Sequence, residues 1–326
     1  MSSSWKAVRE PVRVGVSLCL LGERVRHDGG HKHERFLTDV LGRYVEWVPV
    51  CPEVELGMGV PREPVHLVEE GGEIRLLGVR SRKDHTRAMR EFARRRVREL
   101  GRVGIAGFVL KSKSPSCGLV GVPVEHAGGR SRRDGRGFFA RALLERFPNL
   151  PVAEEGDLYD AEVRENWVER VFAYHRLQSL WRKPWRAADL VEFHRVHKLV
   201  LLAHSPEAYR HLGRLVARAR ELPRAELRAR YEEGFMAALA RHATRGRHAN
   251  ALEHAMGYFR EKLDPAARAE LRESIEKYRK GLLPLAVPLT LVAHYARVLD
   301  VAYLRDQLYL DPDPRELALR GWVPFG

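Results

Sequence analysis

Val103-Gly-Ile-Ala-Gly-Phe-Val-Leu110, followed at once by Lys111-Ser-Lys-Ser-Pro-Ser-Cys117-Gly118, is the stretch that decides the fold class. Eight nearly unbroken apolar residues ending at a polar turn describe a strand covered on both faces, as in a parallel sheet enclosed by helices. Working back from it, residues 80–100 place Met89, Phe92, Ala93, Val97 and Leu100 at helical spacing with arginines between them. That pattern predicts an amphipathic helix with a strongly basic outer face. Residues 12–17 and 45–50 read as two further strands, and 66–68 with 74–77 as a hairpin around Glu-Glu-Gly-Gly. On the other side, Gly137–Phe147 reads as a short helix and Leu150–Ala153 as a last strand. Strands alternating with helices imply an α/β region with a mainly parallel, Rossmann-like sheet.

Cys19, Cys51 and Cys117 are the only cysteines in the 326 residues. Each falls shortly beyond the end of a predicted strand, and ligands of open α/β sheets bind outside those carboxyl ends. Convergence of three thiols there makes a metal site the leading reading. An odd count speaks against a disulfide framework. No paired C-x-x-C knuckle of a structural zinc site is present. Three thiolates can hold zinc with an open position or three irons of a cubane, and spacing alone leaves the two metals equal.

The loops offer further groups. Pro115 and Gly118 constrain the third loop, Ser114 and Ser116 offer hydroxyls, and Lys111 and Lys113 could bind phosphate. The first loop runs from Cys19 to Asp28-Gly-Gly30, where Asp28 reads first as an Asx-turn former. In the second, Val50-Cys51-Pro52-Glu53, a carboxylate stands two residues from a thiol, placed to orient a ligand or act as a general base.

From about Asp160 the pattern is helical, with helices expected at 160–180, 186–202, 205–221, 224–243, 246–262, 265–281 and 287–299. Ser205-Pro206 and Asp264-Pro265 are N-cap plus N1 signals. The chain therefore divides into an α/β region, 11–178, and an all-α region, 179–326. A composition of 44% hydrophobic and 31% charged residues fits a soluble globular protein, and no apolar run reaches the length of a membrane span. The opening residues lack the apolar segment of a signal peptide, so the expected location is the cytoplasm. The net charge is +14, of which residues 1–150 contribute +10. Such a field favours a polyanion, nucleic acid first among them, although charge alone does not establish RNA binding.

The cysteine loops also carry a resemblance. Ser17-Leu-Cys-Leu-Leu-Gly22, Arg26-His-Asp-Gly-Gly30, Val48-Pro-Val-Cys-Pro-Glu-Val54 and Lys111-Ser-Lys-Ser-Pro-Ser-Cys-Gly118 resemble the thiouracil desulfurase (TudS) family. The likeness continues through Pro151-Val-Ala-Glu-Glu-Gly156 and Arg164-Glu-Asn166. The resemblance implies a [4Fe–4S] cluster on Cys19, Cys51 and Cys117 with one iron not ligated by protein. It implies a desulfidase reaction in which that iron captures the sulfur of a thiocarbonyl and water replaces it, releasing sulfide. Ser114 and Glu53 carry over as the catalytic pair, with Asp28 and Ser116 as further candidates.

The second region is similar to the YbgA-like helical domain, through His197-Lys198, Leu201-Leu-Ala-His204, Tyr209, Asn250-Ala-Leu-Glu-His254, Gly257-Tyr-Phe259, Pro284–Leu291, Gln307 and Tyr309. Its histidines are expected to be mostly satisfied core or surface groups. Fusions of the two resemble bacterial desulfidases acting on 4-thiouridine in tRNA. Lys111, Lys113, Arg130, Arg132, Arg133, the basic helix and Arg241–His248 would then be phosphate contacts. Two other readings stand beside this one: the same chemistry on free thiouracil or its nucleotide, and a cluster-containing RNA-binding protein without turnover.

Overall fold

The computed structural model describes residues 10–126, 129–313, 315, 316 and 319, and divides the chain into two compact units meeting at His175/Arg176. In the first unit, β1 (Arg13–Ser17), β2 (Glu46–Val50), β5 (Gly107–Leu110) and β8 (Val152–Glu154) form an all-parallel sheet in the order β2-β1-β5-β8. A second sheet, in the order β4-β3-β6-β7, joins β3 (Val65–Glu70), β4 (Glu73–Gly78), β6 (Val122–His126) and β7 (Arg130–Gly135). In it, only the β3–β6 pairing is parallel. Val14, Val16, Phe108, Val109 and Leu110 are fully buried, as the unbroken apolar strand requires. Phe108 lies where a Cβ on Gly15 would stand, 2.1 Å from its ring, so that glycine is what lets β1 and β5 pair beneath an aromatic side chain.

Between β1 and β2, Leu18–Leu21 and Phe36–Val40 form short helical turns; α1 (Pro52–Glu55) follows β2 directly. The basic helix expected over 80–100 is α2, Thr86–Val103. It buries Met89, Phe92, Ala93, Val97 and Leu100, and exposes Arg87, Arg90, Arg94, Arg95 and Arg98. Met89 and Phe92 pack with Leu67, Leu76, Val122, Val124 and Phe138 over the second sheet. The helix continues to Val103 and stops where Gly104 takes φ 76°, its N–H reaching the Leu100 carbonyl. The strand expected from Val103 therefore begins only at Gly107. α3 (Phe138–Arg146) matches its expectation, whereas the β6–β7 hairpin has no counterpart in the sequence reading. β7, Arg-Ser-Arg-Arg-Asp-Gly, has no apolar alternation to announce a strand.

α4 (Ala161–Trp181) spans the division between the units. The second unit then contains α5 (Ala187–Val196), α6 (Lys198–His204), α7 (Pro206–Ala217), α8 (Arg224–Leu239), α9 (Arg245–Met256), α10 (Pro265–Arg279), α11 (Ala286–Val298) and α12 (Ala302–Arg305). Ser205 and Asp264 cap α7 and α10 as expected, accepting from Ala208 N at 3.2 Å and from Ala266 and Ala267 N at 2.9 Å. The single helix expected over 186–202 is two. At the break, His197 Nδ1 sits 2.7 Å from the Phe193 carbonyl, so the side chain competes with the backbone for that acceptor. The core is aromatic, with Phe193, Tyr231 and Phe235 fully buried and packed edge to face or stacked. His194, His204 and His248 are engaged by the Tyr231 hydroxyl, the Arg241 carbonyl and the Tyr309 hydroxyl. No helix among the described residues is long and apolar enough to cross a membrane.

The structural division redistributes the charge. Residues 10–175 hold 28 Lys+Arg against 25 Asp+Glu, and residues 176–326 hold 27 against 18. Residues 151–175 hold 2 basic against 7 acidic residues, so including them with the first region offsets most of its excess and leaves the larger one, +9, on residues 176–326.

A three-cysteine cavity as candidate active site

Beyond the carboxyl ends of β1, β2 and β5 lies a cavity of about 280 Å³, and Cys19, Cys51 and Cys117 all line it. Each arrives by its own local device. Cys19 sits in the helical turn that begins right after β1. Cys51 is the residue between β2 and α1, with Pro52 at the first helical position and the Cys51 N–H held 2.9 Å from Glu55 Oε1.

The Cys117 loop is the most tightly determined. Ser114 Oγ accepts from the N–H groups of Ser116 (3.2 Å) and Cys117 (3.1 Å), and Gly118 N donates to the Ser114 carbonyl at 2.8 Å. The carbonyls of Pro115 and Ser116 receive the first N–H groups of α3, from Phe138 and Phe139, which satisfies the open end of that helix. Nothing larger than glycine fits at two points. A Cβ on Gly118 would stand 2.4 Å from Val122 Cγ2, and one on Gly137 would stand 2.4 Å from the Ser116 carbonyl oxygen.

All three thiols are shifted upward. Burial pushes Cys19 up to about 11, with neighbouring Cys51 adding to it. Burial raises Cys51 as well. Cys117 is raised furthest, by burial first, and Cys19 and Cys51 add to the shift. Buried thiolates sharing one cavity disfavour one another's charge, and a bound metal inverts that preference. Among the described residues no three His, Cys, Asp or Glu side chains gather as a single-ion site does. Zinc–sulfur bonds of about 2.3 Å would draw tetrahedral thiolates to roughly 4 Å of one another. A polynuclear cluster instead gives each thiolate its own metal atom, and a wall of three soft donors around a cavity of this size fits that group.

Glu53 also lines the cavity. Its Oε2 accepts from Arg62 Nη2 (2.5 Å) and Nε (2.9 Å), and its Oε1 accepts from the Ser116 hydroxyl (2.9 Å). Arg62 and Glu53 are nearly enclosed, at 6% and 14% side-chain exposure, so this ion pair is far less screened than a surface one. Ser116 is wholly buried behind the wall, whereas Ser114 faces the cavity. Lys111 and Lys113 line it too. Lys111 Nζ is held by Glu155 and by Ser112, whose N–H donates to Glu155 Oε2 at 2.7 Å. Lys113 is exposed and adopts φ 57°, a left-handed conformation uncommon for a residue with a side chain.

Asp28 stands apart from the cavity wall. Its carboxylate accepts from Gly30 N at 3.0 Å and pairs with Arg26 at 3.3 Å, contacts that hold it down to about 2. Arg130, Arg132 and Arg133 lie exposed on the outer strand β7 and are likewise not among the lining residues. The sequence reading missed Arg26, His27, Lys32 and Arg62, which complete the wall. Arg62 in particular has no local signal, since its partner Glu53 becomes a neighbour only when the chain folds back after α1.

Residues 14–155 match the model of the 2-thiouracil desulfurase family, and residues 198–314 match a family described as protein of unknown function, DUF1722. The chain thus belongs to the 2-thiouracil desulfurase family through its first region and to DUF1722 through its second. It is 35% identical over 152 residues to the uncharacterized protein YbgA of Escherichia coli (strain K12), covering 46% of this chain and 90% of that protein. It is 31% identical over 108 residues to the uncharacterized protein YbbK of Bacillus subtilis (strain 168), covering 32% of this chain and 71% of that protein. Among solved structures, a [4Fe-4S]-dependent thiouracil desulfidase TudS matches at 33% identity with a TM-score of 0.37, covering 45% of this chain and 93% of that one.

Proposed function

We propose that this protein is an iron–sulfur-dependent desulfidase that converts 4-thiouridine in tRNA to uridine, exchanging C=S for C=O at the expense of one water and releasing sulfide. The observation that carries the reading is the convergence of Cys19, Cys51 and Cys117 on one cavity that Glu53 and Ser114 share. Cys19, Cys51 and Cys117 would hold a [4Fe–4S] cluster. When bound, such a cluster supplies an iron without a protein ligand, a Lewis acid with affinity for sulfur.

The chain's own groups handle protons and position. Glu53 takes a proton from the water that adds to the thiocarbonyl carbon. Arg62 and Ser116 fix that carboxylate from two sides, so its free lone pairs face the cavity without reorganisation. Ser114 Oγ accepts two backbone N–H groups, which polarises its hydroxyl as a donor toward the reacting atoms. Lys113 stands exposed at the edge of the cavity, where a phosphate of the substrate can meet it.

Support for RNA over a free base comes from charge. The exposed arginines of α2 and β7 and the excess of cations in residues 176–326 suit a polyanion, and a free pyrimidine has no use for them. Anaerobically reconstituted protein incubated with thiolated tRNA is expected to abolish the near-ultraviolet band of 4-thiouridine. Free 4-thiouridine and 2-thiouracil are expected to react far more slowly at equal concentration. An unchanged band on tRNA with a loaded protein contradicts the reading. Equal turnover of the free compounds removes tRNA as the preferred substrate.

A further inference from the structure

The helical unit contains a group of side chains that no part of the sulfur chemistry uses. Lys198, the first residue of α6, donates from Nζ to the Tyr258 hydroxyl at 3.2 Å. The same ammonium lies 5.6 Å from the ring centres of Tyr258 and Tyr303 and 5.8 Å from that of Tyr209. Tyr258 and Tyr303 stack on each other, 4.7 Å apart and 15° from parallel. These residues come from α6, α7, the turn after α9, and α12, so the grouping is a product of the tertiary fold.

Its electrostatics are unusual. Arg195, 5.7 Å from the Tyr303 ring, is neutralised by Glu192 (2.6 and 2.7 Å) and Asp306 (2.7 Å). Among the described residues no carboxylate pairs with Lys198, so only ring faces and one hydroxyl answer its charge. Burial, with the charge of Lys198 adding to it, lowers His194 to about 4 and also lowers His254, so both imidazoles stay neutral beside it. The group is open to solvent on one side, where Tyr258 is 38% exposed and His254 stands edge-on to it.

An aromatic box normally takes a cationic ligand, but this one is already filled by the protein's own ammonium, which excludes a second cation. What remains to be bound is an anion that brings a flat apolar surface with it. An acidic peptide supplies the charge without the flat surface. A nucleotide supplies both, and the excess of 27 basic over 18 acidic residues in 176–326 suits its polymer.

We propose that Lys198, Tyr209, Tyr258 and Tyr303 form a nucleotide-binding site for RNA, with a phosphate on Lys198 and an unpaired base on the exposed face of Tyr258. The choice of RNA as the source of the nucleotide rests on the function proposed above. Fluorescence anisotropy of the full, cluster-loaded chain with unmodified tRNA over a salt series tests it. Tyr258→Ala is expected to weaken binding roughly tenfold, the loss of one stacked base, while Tyr258→Phe stays within about twofold. Lys198→Met is expected to lower the slope of log affinity against log salt by about one.

Wild-type affinity and slope in both Tyr258→Ala and Lys198→Met overturn the site. Should Lys198→Met fail to fold, the exposed Tyr258 pair of variants still decides the question. A short uridine oligonucleotide is expected to compete with tRNA, and uridine monophosphate or inorganic phosphate only as bulk salt. Competition by the mononucleotide equal to that of the oligonucleotide overturns RNA as the ligand. Wild-type protein that leaves thiolated tRNA intact contradicts the proposed function, whereas undiminished tRNA affinity in Tyr258→Ala contradicts this site alone.

Discussion

The two units hold their charges in opposite ways. At the cysteine cavity, two ion pairs are enclosed: Glu53 with Arg62 and Lys111 with Glu155. In the helical unit, Lys198 sits among three tyrosines with no carboxylate beside it among the described residues. Paired, enclosed groups have fixed directions and cost no reorganisation when charge develops, which is what a reaction needs. An uncompensated cation beside exposed aromatic faces is what adhesion to an anion needs. Under the proposed function the difference leaves chemistry to the first unit and grip to the second, and substitutions in each should separate the two.

The largest effect is expected from Cys117→Ala. With one of three donors gone, iron content after reconstitution should fall below the wild-type value and turnover should vanish, while tRNA affinity changes little. A variant that still turns over would break the division at its root. Glu53→Gln should come next. Loss of a general base costs roughly 10²–10⁴-fold in kcat, with iron loading preserved. It also strips Arg62 of its counter-charge in an enclosed place, so a loss of stability of about 3 kcal/mol in denaturant titration should accompany it.

Ser116→Ala sharpens the same comparison. It removes one hydrogen bond to a carboxylate that keeps its Arg62 partner, so roughly tenfold in kcat with little change in KM is expected. A loss equal to that of Glu53→Gln would instead place Ser116 in direct contact with the substrate.

A prediction of another kind concerns stability against pH, and it belongs to the helical unit. The folded state holds His194 near 4, well below its ordinary 6.5, so the unfolded chain binds the proton more readily. The stability this group protects is complete above about pH 6.5 and is lost as pH falls through 4, by about 3 kcal/mol at most. Urea midpoints of wild type and His194→Gln between pH 7 and 4 should converge on acidification. Parallel curves would contradict the assignment.

How much of this was legible in sequence depended on whether the signal was local. The strand at 107–110, the amphipathic α2 and the proline-marked caps of α7 and α10 each follow from a few adjacent residues. So did the positions of the three thiols, because strand ends can be read and a parallel sheet aligns them. β7 was invisible because an exposed edge strand needs no apolar alternation. The start of β5 is hidden because apolar residues run from the end of α2 through Ile105 and Ala106 into the strand, and the left-handed Gly104 is what ends the helix. At the site, Ser114 and Glu53 reach the cavity while Asp28 serves its turn, a distinction set by where three loops meet. Arg62 and the tyrosines around Lys198 escaped notice for the same reason. Lys198, Tyr209 and Tyr258 were visible as residues of a family likeness, but their neighbourhood exists only after the helices pack.

The most direct test of the whole account is the stoichiometry of sulfide released against thiocarbonyl lost, measured anaerobically on thiolated tRNA with no reductant added. A hydrolytic exchange at the three-cysteine site predicts one sulfide for each 4-thiouridine converted to uridine, over many turnovers, and none in Cys117→Ala. Loss of the thiocarbonyl without matching sulfide, or a reaction that stops until a reductant is supplied, would contradict it.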